Sequence, residues 1–297
     1  MALQKQIWLN SIIEPLFADN TFAARSIDHS AFVTNKTVHV PNGGSAPSVV
    51  KNRSSFPASA SQRTDNDLSY DINEYSTNPV HIQDAERVEL SYNKRESVLK
   101  QIKAALADTI HMDLAVSWVP TSYAKVGTSG SAAAAHLPSS TGNRQAMTKA
   151  DVLAVKNKFD LDDVPQTGRC ILLDAVMYNQ LMASLSESEA NAFNASIDAQ
   201  RGIVGRLYGF DFYMRSTVFR VSADGATLNP TAAATTSAAG LAWQEDCVSR
   251  AMGNNELFEN EQDALYYGDV MSALVRAGGS YARYDKKGVC VIYQVTP

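Results

Sequence analysis

The side chains that most often carry out chemistry in proteins are scattered through this sequence without a recognisable pattern. The motifs H-E-x-x-H and H-x-H are both absent, so the histidines do not indicate a metal site. They are His29, His39, His81, His111 and His136. Neither a G-x-S-x-G nucleophile turn nor a phosphate-binding loop is present. The sequence therefore predicts no catalytic, cofactor-binding or metal-binding residues.

Two serine–lysine pairs match the S-x-x-K spacing of certain acyl-transfer enzymes. Ser97 precedes Lys100, and Ser122 precedes Lys125. Because the companion motifs S-D-N and K-T-G are missing, both matches are interpreted as chance. The first pair fits the solvated face of a helix better than a catalytic site.

Clustered carboxylates, glycines and cysteines also have structural interpretations. Asp160, Asp162 and Asp163 lack the alternation and distal glutamate of a calcium loop, and a solvated helix end is favoured. The pattern G-x-x-G-x-x-x-G is not the dinucleotide fingerprint and predicts tight turns at Gly202, Gly205 and Gly209. The cysteines lie in apolar stretches, which predicts buried free thiols. They are Cys170, Cys247 and Cys290.

Composition narrows the class of protein further. The 297 residues suffice for one large domain or two ordinary ones, and 45% of them are hydrophobic. Only 19% are charged, which suits a chain that hides surface against partners and also suits an ordinary enzyme with a large core. The net charge of -5 excludes the basic excess that is usual in nucleic-acid-binding proteins. No signal peptide or membrane span is predicted.

The amino-terminal quarter combines an apolar arm with a long polar excursion. Residues 1–35 carry apolar side chains but cannot form a core alone, so we expect them to need another surface. Alternation over 36–41 predicts a strand, and residues 68–72 predict a return strand that continues toward residue 82. The segment 42–80, which follows the first strand and includes the return strand, is polar and too long for an ordinary connection.

A long helix is the strongest local prediction. Apolar residues recur at helical spacing within residues 84–118, and Pro120 ends the pattern. The stripe consists of Leu99, Ile102, Leu106, Ile110 and Leu114. Thirty residues of helix would extend about 45 Å, well beyond the typical globular helix.

Mixed helices and strands follow in the carboxyl-terminal half. The patterns predict helices over 150–159, 174–185 and 186–199, a strand over 169–173, and a strand–turn–strand unit over 202–214. Residues 127–140 and 224–240 read as flexible loops. Near the end, residues 269–275 and 289–293 read as strands, and residues 285–288 read as a hairpin turn that joins 281–284 to the last strand. The fold class is α+β.

The order of these parts, together with four local motifs, resembles the Hong Kong 97-type major capsid proteins of tailed bacteriophages. The motifs are Ile12-Ile13-Glu14-Pro15-Leu16-Phe17 with Phe22-Ala23, then residues 169–178, residues 205–213 and residues 242–247. Each motif is weak alone, and their order and spacing carry the resemblance. It implies a self-assembling shell protein and not an enzyme.

The resemblance also implies a division of the chain. Residues 1–35 would be the N-terminal arm, and residues 36–83 the extended loop with its flanking strands. Residues 84–135 would hold the spine helix and peripheral domain, residues 136–265 the inserted axial domain, and residues 266–297 the closing strands of the peripheral domain. No lysine–asparagine crosslinking pair can be matched.

Expected partners and location follow from the same resemblance. They are other copies of the chain in hexamers and pentamers, a separate scaffolding protein, a portal, a decoration protein in some shells, and packaged double-stranded DNA held by non-specific contact; a membrane is not among them. The location would be the virion capsid, assembled in the host bacterial cytoplasm. Two alternatives stay open: an encapsulin-like bacterial compartment shell, and a soluble hydrolase with an unrecognised site.

Overall fold

The computed structural model of the chain describes residues 21–44, 46–54, 56–57, 60, 62–83, 94–263 and 265–297. This part of the chain contains sixteen strands and four α-helices, which confirms the α+β class. The strands are β1 (Ile27–Asp28), β2 (Thr37–Asn42), β3 (Asn66–Asp71), β4 (Asn73–Ser76), β5 (Val80–Gln83), β6 (Ala124–Gly127), β7 (Ala132–Ala134), β8 (Asn143–Gln145), β9 (Arg169–Asp174), β10 (Gly205–Leu207), β11 (Phe210–Arg215), β12 (Phe219–Val221), β13 (Ser237–Gln244), β14 (Val248–Asp263), β15 (Gly268–Tyr281) and β16 (Val289–Tyr293). The helices are α1 (Lys94–Ser117), α2 (Lys149–Leu161), α3 (Ala175–Ser184) and α4 (Glu187–Ala195).

A seven-stranded sheet forms the larger of two main layers. Its order is β10-β11-β9-β13-β16-β6, with β12 also paired to β13. The pairs β9–β11 and β16–β6 are parallel, and the others are antiparallel. Every residue of β9 and β13 is buried, because both faces of the sheet are covered.

Helices α2, α3 and α4 cover one face of this sheet, and side-chain caps begin each of them. Thr148 and Asp151 form a capping box at the start of α2, and Ser186 and Glu189 form another at α4. The carboxylate of Asp174 accepts a hydrogen bond from the backbone nitrogen of Met177 at the start of α3. These caps confirm the predicted helices, although α4 ends at residue 195.

The second layer is a five-stranded sheet built on one long hairpin. Strands β14 and β15 pair antiparallel over most of their length, β1 lies parallel to the start of β14, and β4 and β5 pair successive parts of β15. Helix α1 packs on this sheet. The predicted stripe from Leu99 to Leu114 is entirely buried, with Leu106 only 4% exposed. The described part of the long helix is therefore confirmed, and its predicted start over residues 84–93 lies outside the described residues.

The two layers meet where α1 ends. Trp118 packs against Trp243 of β13, with ring centroids 5.4 Å apart, and its indole nitrogen donates to the carbonyl oxygen of Ser249 in β14. Phe22 lies edge-on to both indole rings. These aromatic side chains thus join the helix, both sheets and the amino-terminal segment in one core. The expectation that the whole arm needs another surface is therefore wrong for Phe22, and residues 1–20, with the motif at 12–17, lie outside the described residues.

Four sequence predictions are wrong in detail. Residues 127–140 are not a loop throughout, because β7 within them pairs with β8, which lies just beyond them, to form a hairpin. The loop predicted over 224–240 ends at residue 236, since small residues beginning at Ser237 enter β13. The last strand does not form a hairpin with 281–284; β16 pairs with β13 and β6, whereas β15 pairs with β14. The predicted domain boundary between residues 265 and 266 falls in the turn between the paired strands β14 and β15, and the division into domains stays a prediction.

The fourth error concerns the return strand. Strand β3 ends at Asp71, and the chain then enters the five-stranded sheet as β4 and β5 instead of continuing along β2. Alternation of polar and apolar residues runs through both segments, so the pattern could not reveal the change of partner.

Replacing Leu106 by Asp should place a carboxylate in the apolar layer between α1 and β15. We expect the free energy of unfolding to fall by at least about 3 kcal/mol, because a leucine contact is lost and an unpaired charge is buried. Ala104→Asp, on the exposed face of the same helix, is the matched control and should cost less than about 1 kcal/mol. Urea denaturation of both variants measures this, and equal losses would contradict the packing.

Candidate assembly surface

The polar excursion projects from the protein as a two-stranded ribbon. Strands β2 and β3 pair antiparallel over all six residues of each. Polar cross-strand contacts support the pairing: the Thr37 hydroxyl donates to the Asp71 carboxylate over 2.7 Å, and His39 Nδ1 lies 2.7 Å from the Asp67 carboxylate. The predicted strand pair is confirmed at these positions.

The root of the ribbon is fixed in the main body. Val38 is fully buried and packs in one cluster with Ile72 and Ala251 of β14. The backbone nitrogen of Tyr284 also donates to the Asn42 side chain at the far end of β2. Both ends of β2 are thus held, and the direction of the ribbon is set.

Beyond the ribbon, the described part of the excursion lies at the surface. Every described residue between 46 and 65 is exposed. Three of these are large apolar residues, namely Val49 (94% exposed), Val50 and Phe56 (78% exposed). The exposed span is shorter than the predicted 42–80, because residues 73–83 return to the five-stranded sheet.

A second exposed apolar group lies at the turn between β14 and β15. Leu265 and Tyr267 are each more than 80% exposed, and Tyr266 and Phe258 are also on the surface. This hairpin tip was not predicted, because the turn was assigned to residues 285–288 instead. Four consecutive apolar residues between Asp263 and Gly268 were the available signal.

Contiguous exposed apolar groups mark interaction surfaces more often than single exposed residues do. Burying a side chain of the size of Val49 or Phe56 yields about 1.5–3 kcal/mol. The excursion and the hairpin tip are therefore the candidate functional surfaces of this chain, and both are suited to bind another protein.

Residues considered for metal binding are instead used in ion pairs. The carboxylate of Asp160 lies 2.7 Å from both Lys156 and Arg169. Hydrogen bonds from these two side chains hold the pKa of Asp160 below its ordinary value. Asp162 lies within 4 Å of Lys158 and Lys287. Among the described residues, no three histidine, cysteine or acidic side chains are grouped to bind a metal ion.

Of the two serine–lysine pairs, only the second lies fully within the described residues. The Lys125 amine donates to the carbonyl oxygen of Asp224 and lies over the ring of Tyr293, which directs it away from a role beside Ser122. The side chain of Ser97 lies outside the described residues. The five histidines are not grouped; His136 is bound to Asp174 at 2.7 Å, where it links the β7–β8 hairpin region to β9.

The glycines and cysteines have structural roles. Gly202 and Gly209 adopt positive φ and form turns as predicted, but Gly205 lies in β10, where a Cβ would collide with the ring of Phe193. All three cysteines are free and buried, as predicted. Burial raises the pKa of Cys170 and of Cys290 to about 12, so these thiols stay protonated.

Comparison with known proteins gives matches in structure alone. No protein-family model matches the sequence. No curated protein matches it either. In addition, no helix of the described chain has the length and apolar character needed to cross a bilayer.

Solved structures of shells resemble the chain over most of its length. The capsid of Ralstonia phage GP4 gives a TM-score of 0.63 at 13% identity, with 92% of this chain and 87% of that chain covered. A structure from Mycobacterium phage Che8 gives 0.59 at 19% identity, with 87% and 85% covered. A virus-like particle from Pyrococcus furiosus gives 0.58 at 8% identity, with 97% and 99% covered.

Identities this low show a shared fold and nothing finer. The likeness nevertheless covers 87–97% of this chain in these three structures. This chain therefore has the α+β fold of the Hong Kong 97-type capsid proteins of bacteriophages.

Proposed function

We propose that this chain is a structural shell subunit, the major capsid protein of a tailed bacteriophage, and not an enzyme. One observation carries the proposal: a chain with a capsid-protein fold extends more than fifteen described residues that are all exposed. Ordering a residue costs about 1–2 kcal/mol of backbone entropy. Fixing that segment in one position therefore requires additional burial, which another molecule can offer.

The most suitable partner is a second copy of the same chain. The excursion carries Lys51, Arg53 and Arg63 beside exposed apolar residues, so it can contribute both ion pairs and apolar burial to a neighbour. Repetition of one such contact around an axis builds a ring, and rings of six and five subunits build an icosahedral shell. Hexamers and pentamers are therefore the proposed assemblies.

The parts of the fold receive the following roles in this proposal. Helix α1 is the spine helix, and with the five-stranded sheet it forms the peripheral domain. The seven-stranded sheet with helices α2, α3 and α4 forms the inserted axial domain. Compared with the division predicted from the sequence, β14 now belongs to the peripheral domain, because it pairs with β15. Strands β6 and β16 now belong to the axial domain, because β16 pairs with both β13 and β6.

Further partners belong to the same proposal. The shell would enclose double-stranded DNA through non-specific contacts that release it readily, which suits a net charge of -5. A separate scaffolding protein, a portal and a decoration protein would act during or after assembly in the host cytoplasm. No metal or cofactor is needed for any of these contacts.

An encapsulin-like compartment shell is the second candidate function. It is supported by the match to the virus-like particle from Pyrococcus furiosus, which covers 97% of this chain and 99% of that one. The content of purified shells distinguishes the two candidates, because nucleic acid indicates a capsid and an enclosed protein indicates a compartment. A hydrolase is disfavoured, since the sequence contains neither H-E-x-x-H nor G-x-S-x-G, and its S-x-x-K matches lack their companion motifs.

Assembly should depend on the apolar residues of the excursion. We expect Val49→Asp to abolish or strongly reduce shell formation and leave the urea midpoint of the subunit unchanged, because Val49 contacts solvent in the isolated chain. Sedimentation velocity and negative-stain microscopy measure the shells. Ser48→Asp, one residue away and also exposed, is the control for added charge. Normal assembly of the Val49 variant, or a compact monomer of the wild type in all conditions, would contradict the proposal.

Trypsin should distinguish free from assembled subunits. Lys51, Arg53 and Arg63 are exposed in the isolated chain, so cleavage there should be fast before assembly and slow in shells. A variant with glutamine at these three positions lacks the cleavage sites, so the fragments that it fails to produce are the ones that come from the excursion. Equal cleavage rates in the two states would show that the excursion does not lie over a neighbour.

Chelation should leave shells intact. The grouped carboxylates Asp160 and Asp162 already have lysine and arginine partners, so no bound cation is required to offset them. Incubation with EDTA, followed by sedimentation, should give unchanged shells and an unchanged melting temperature. Dissociation by EDTA that is reversed by a divalent cation would reveal a structural metal site.

A further inference from the structure

One cavity at the edge of the seven-stranded sheet is bordered by three lysines. It has a volume of about 380 Å³ and lies where β6 and β16 begin, between the carboxyl end of α2 and the turn before β16. Lys158 comes from α2, and Lys286 and Lys287 come from the turn. This cavity, here called the lysine cavity, includes no residue of the excursion or of the β14–β15 tip.

Positive charge exceeds negative charge in the lysine cavity. Its two carboxylates are those of Asp162 and Asp285. Arg283 already binds Asp285, because its Nε and Nη2 donate to the two carboxylate oxygens over 3.0 and 2.6 Å. Lys158 and Lys287 lie 3.9 and 3.7 Å from the Asp162 oxygens, beyond ordinary hydrogen-bond length. The cavity therefore has a local surplus of positive charge in a chain whose net charge is -5.

Capping of α2 does not account for the lysines at its end. The last carbonyl groups of a helix lack partners within the helix, and basic side chains often offset their partial negative charge. In α2, the carbonyl oxygens of residues 158–160 accept hydrogen bonds from the backbone nitrogens of residues 162–164. Arg169 also pairs with Asp160 at 2.7 Å. The helix end is thus satisfied without the ammonium groups of the cavity.

The turn that carries two of the lysines is held in one conformation. The Lys286 nitrogen donates to the carbonyl oxygen of Arg283, and the Lys287 nitrogen donates to the Asp285 carboxylate. Lys286 has a φ of 59°, a conformation that glycine and asparagine adopt more readily than lysine does. The backbone therefore does not explain a lysine at this position. A turn fixed in this way loses little entropy when its side chains bind a ligand.

These groups suit a phosphate better than other ligands. Three ammonium groups would repel a metal cation. A carboxylate offers two oxygens in a plane, whereas a phosphate offers more oxygens around one atom and can accept hydrogen bonds from several lysines at once. The Ser122 hydroxyl also lines the cavity and can donate to a further oxygen.

The size and the remaining lining of the cavity suit a phosphate that is attached to a larger group. Ala124, Phe159 and Val289 supply an apolar side. A volume of about 380 Å³ lies at the lower end of the range for small-molecule sites and exceeds that of a phosphate alone. The cavity thus has room for a sugar beside the phosphate.

We propose that the lysine cavity binds a phosphate group attached to a sugar, as in a nucleotide or in the backbone of a nucleic-acid strand. The cavity requires only the folded subunit, so the inference holds whether or not the chain forms shells. The nucleic-acid source rests on the proposed function, because a shell around DNA brings many sugar–phosphate units to each subunit. One phosphate contact per subunit also agrees with DNA that is held without sequence preference.

Calorimetric titration of unassembled subunits tests the chemistry of the site. The probes are inorganic phosphate, deoxythymidine monophosphate and, as the planar anion, acetate. We expect both phosphate compounds to bind and acetate to bind at least about fivefold more weakly than phosphate, because acetate has fewer acceptor oxygens.

Variants of the lysines test the location. Lys158→Gln, and Lys286→Asn combined with Lys287→Gln, should each weaken nucleotide binding by about tenfold, because a charged donor is lost. Asparagine suits the positive φ of residue 286, so the turn should be retained. Lys156→Gln removes a charge from the same helix but outside the cavity, and it should change binding less than about twofold.

A further variant should strengthen binding, which a folding defect cannot imitate. Asp162→Asn removes the carboxylate that competes with the ligand for Lys158 and Lys287. Nucleotide binding should therefore tighten by roughly threefold or more.

A labelled DNA duplex of about 20 base pairs assigns the source of the phosphate. If strand backbones bind here, the lysine variants weaken duplex binding as well, and raising the salt from about 50 to about 200 mM weakens it by about threefold per phosphate bound. If these variants weaken nucleotide binding and leave duplex binding unchanged, free nucleotides are the ligand.

Four results would overturn the proposal. They are the absence of binding by both phosphate compounds, equal affinities for acetate and phosphate, equal losses in Lys156→Gln and Lys158→Gln, and unchanged or weaker binding in Asp162→Asn. A failure of the subunits to form shells in electron microscopy counts against the proposed function alone, because these titrations need no shell.

Discussion

The contact between Trp118 and Trp243 is the interaction on which the rest of the fold depends. Trp118 ends the long helix, Trp243 lies in the centre of the seven-stranded sheet, and the Trp118 indole also binds the backbone of β14. Together with the ion pair between Asp108 and Arg215 of β11, this contact attaches the helix to the seven-stranded sheet. The same site receives Phe22, so the amino-terminal segment, both sheets and the helix share one buried junction.

A well-packed junction accounts for the contrast with the surface. The interior carries long runs of fully buried residues, whereas the excursion and the β14–β15 tip leave large apolar side chains in solvent. The core is therefore fully packed within one chain, whereas apolar side chains on the surface remain available for contacts with other molecules. That combination is expected of a subunit that folds first and then binds identical neighbours.

The sequence predicted those helices and strands whose pattern of polar and apolar residues depends only on local structure. The stripe on α1, the caps at Thr148 and Asp174, and the β2–β3 ribbon could all be read from the residues. Strand pairing could not, because β14 carries polar residues toward its exposed half, and the small residues of β13 resemble a loop until both faces are covered. The hairpin tip was missed for this reason, and Phe22 was assigned to the wrong partner.

Electron cryo-microscopy of assembled particles would show what covers residues 46–65. We expect a closed icosahedral shell in which Val49, Val50 and Phe56 are buried against a neighbouring copy of the chain. A particle in which these side chains remain in solvent, or fold back onto their own subunit, would contradict it.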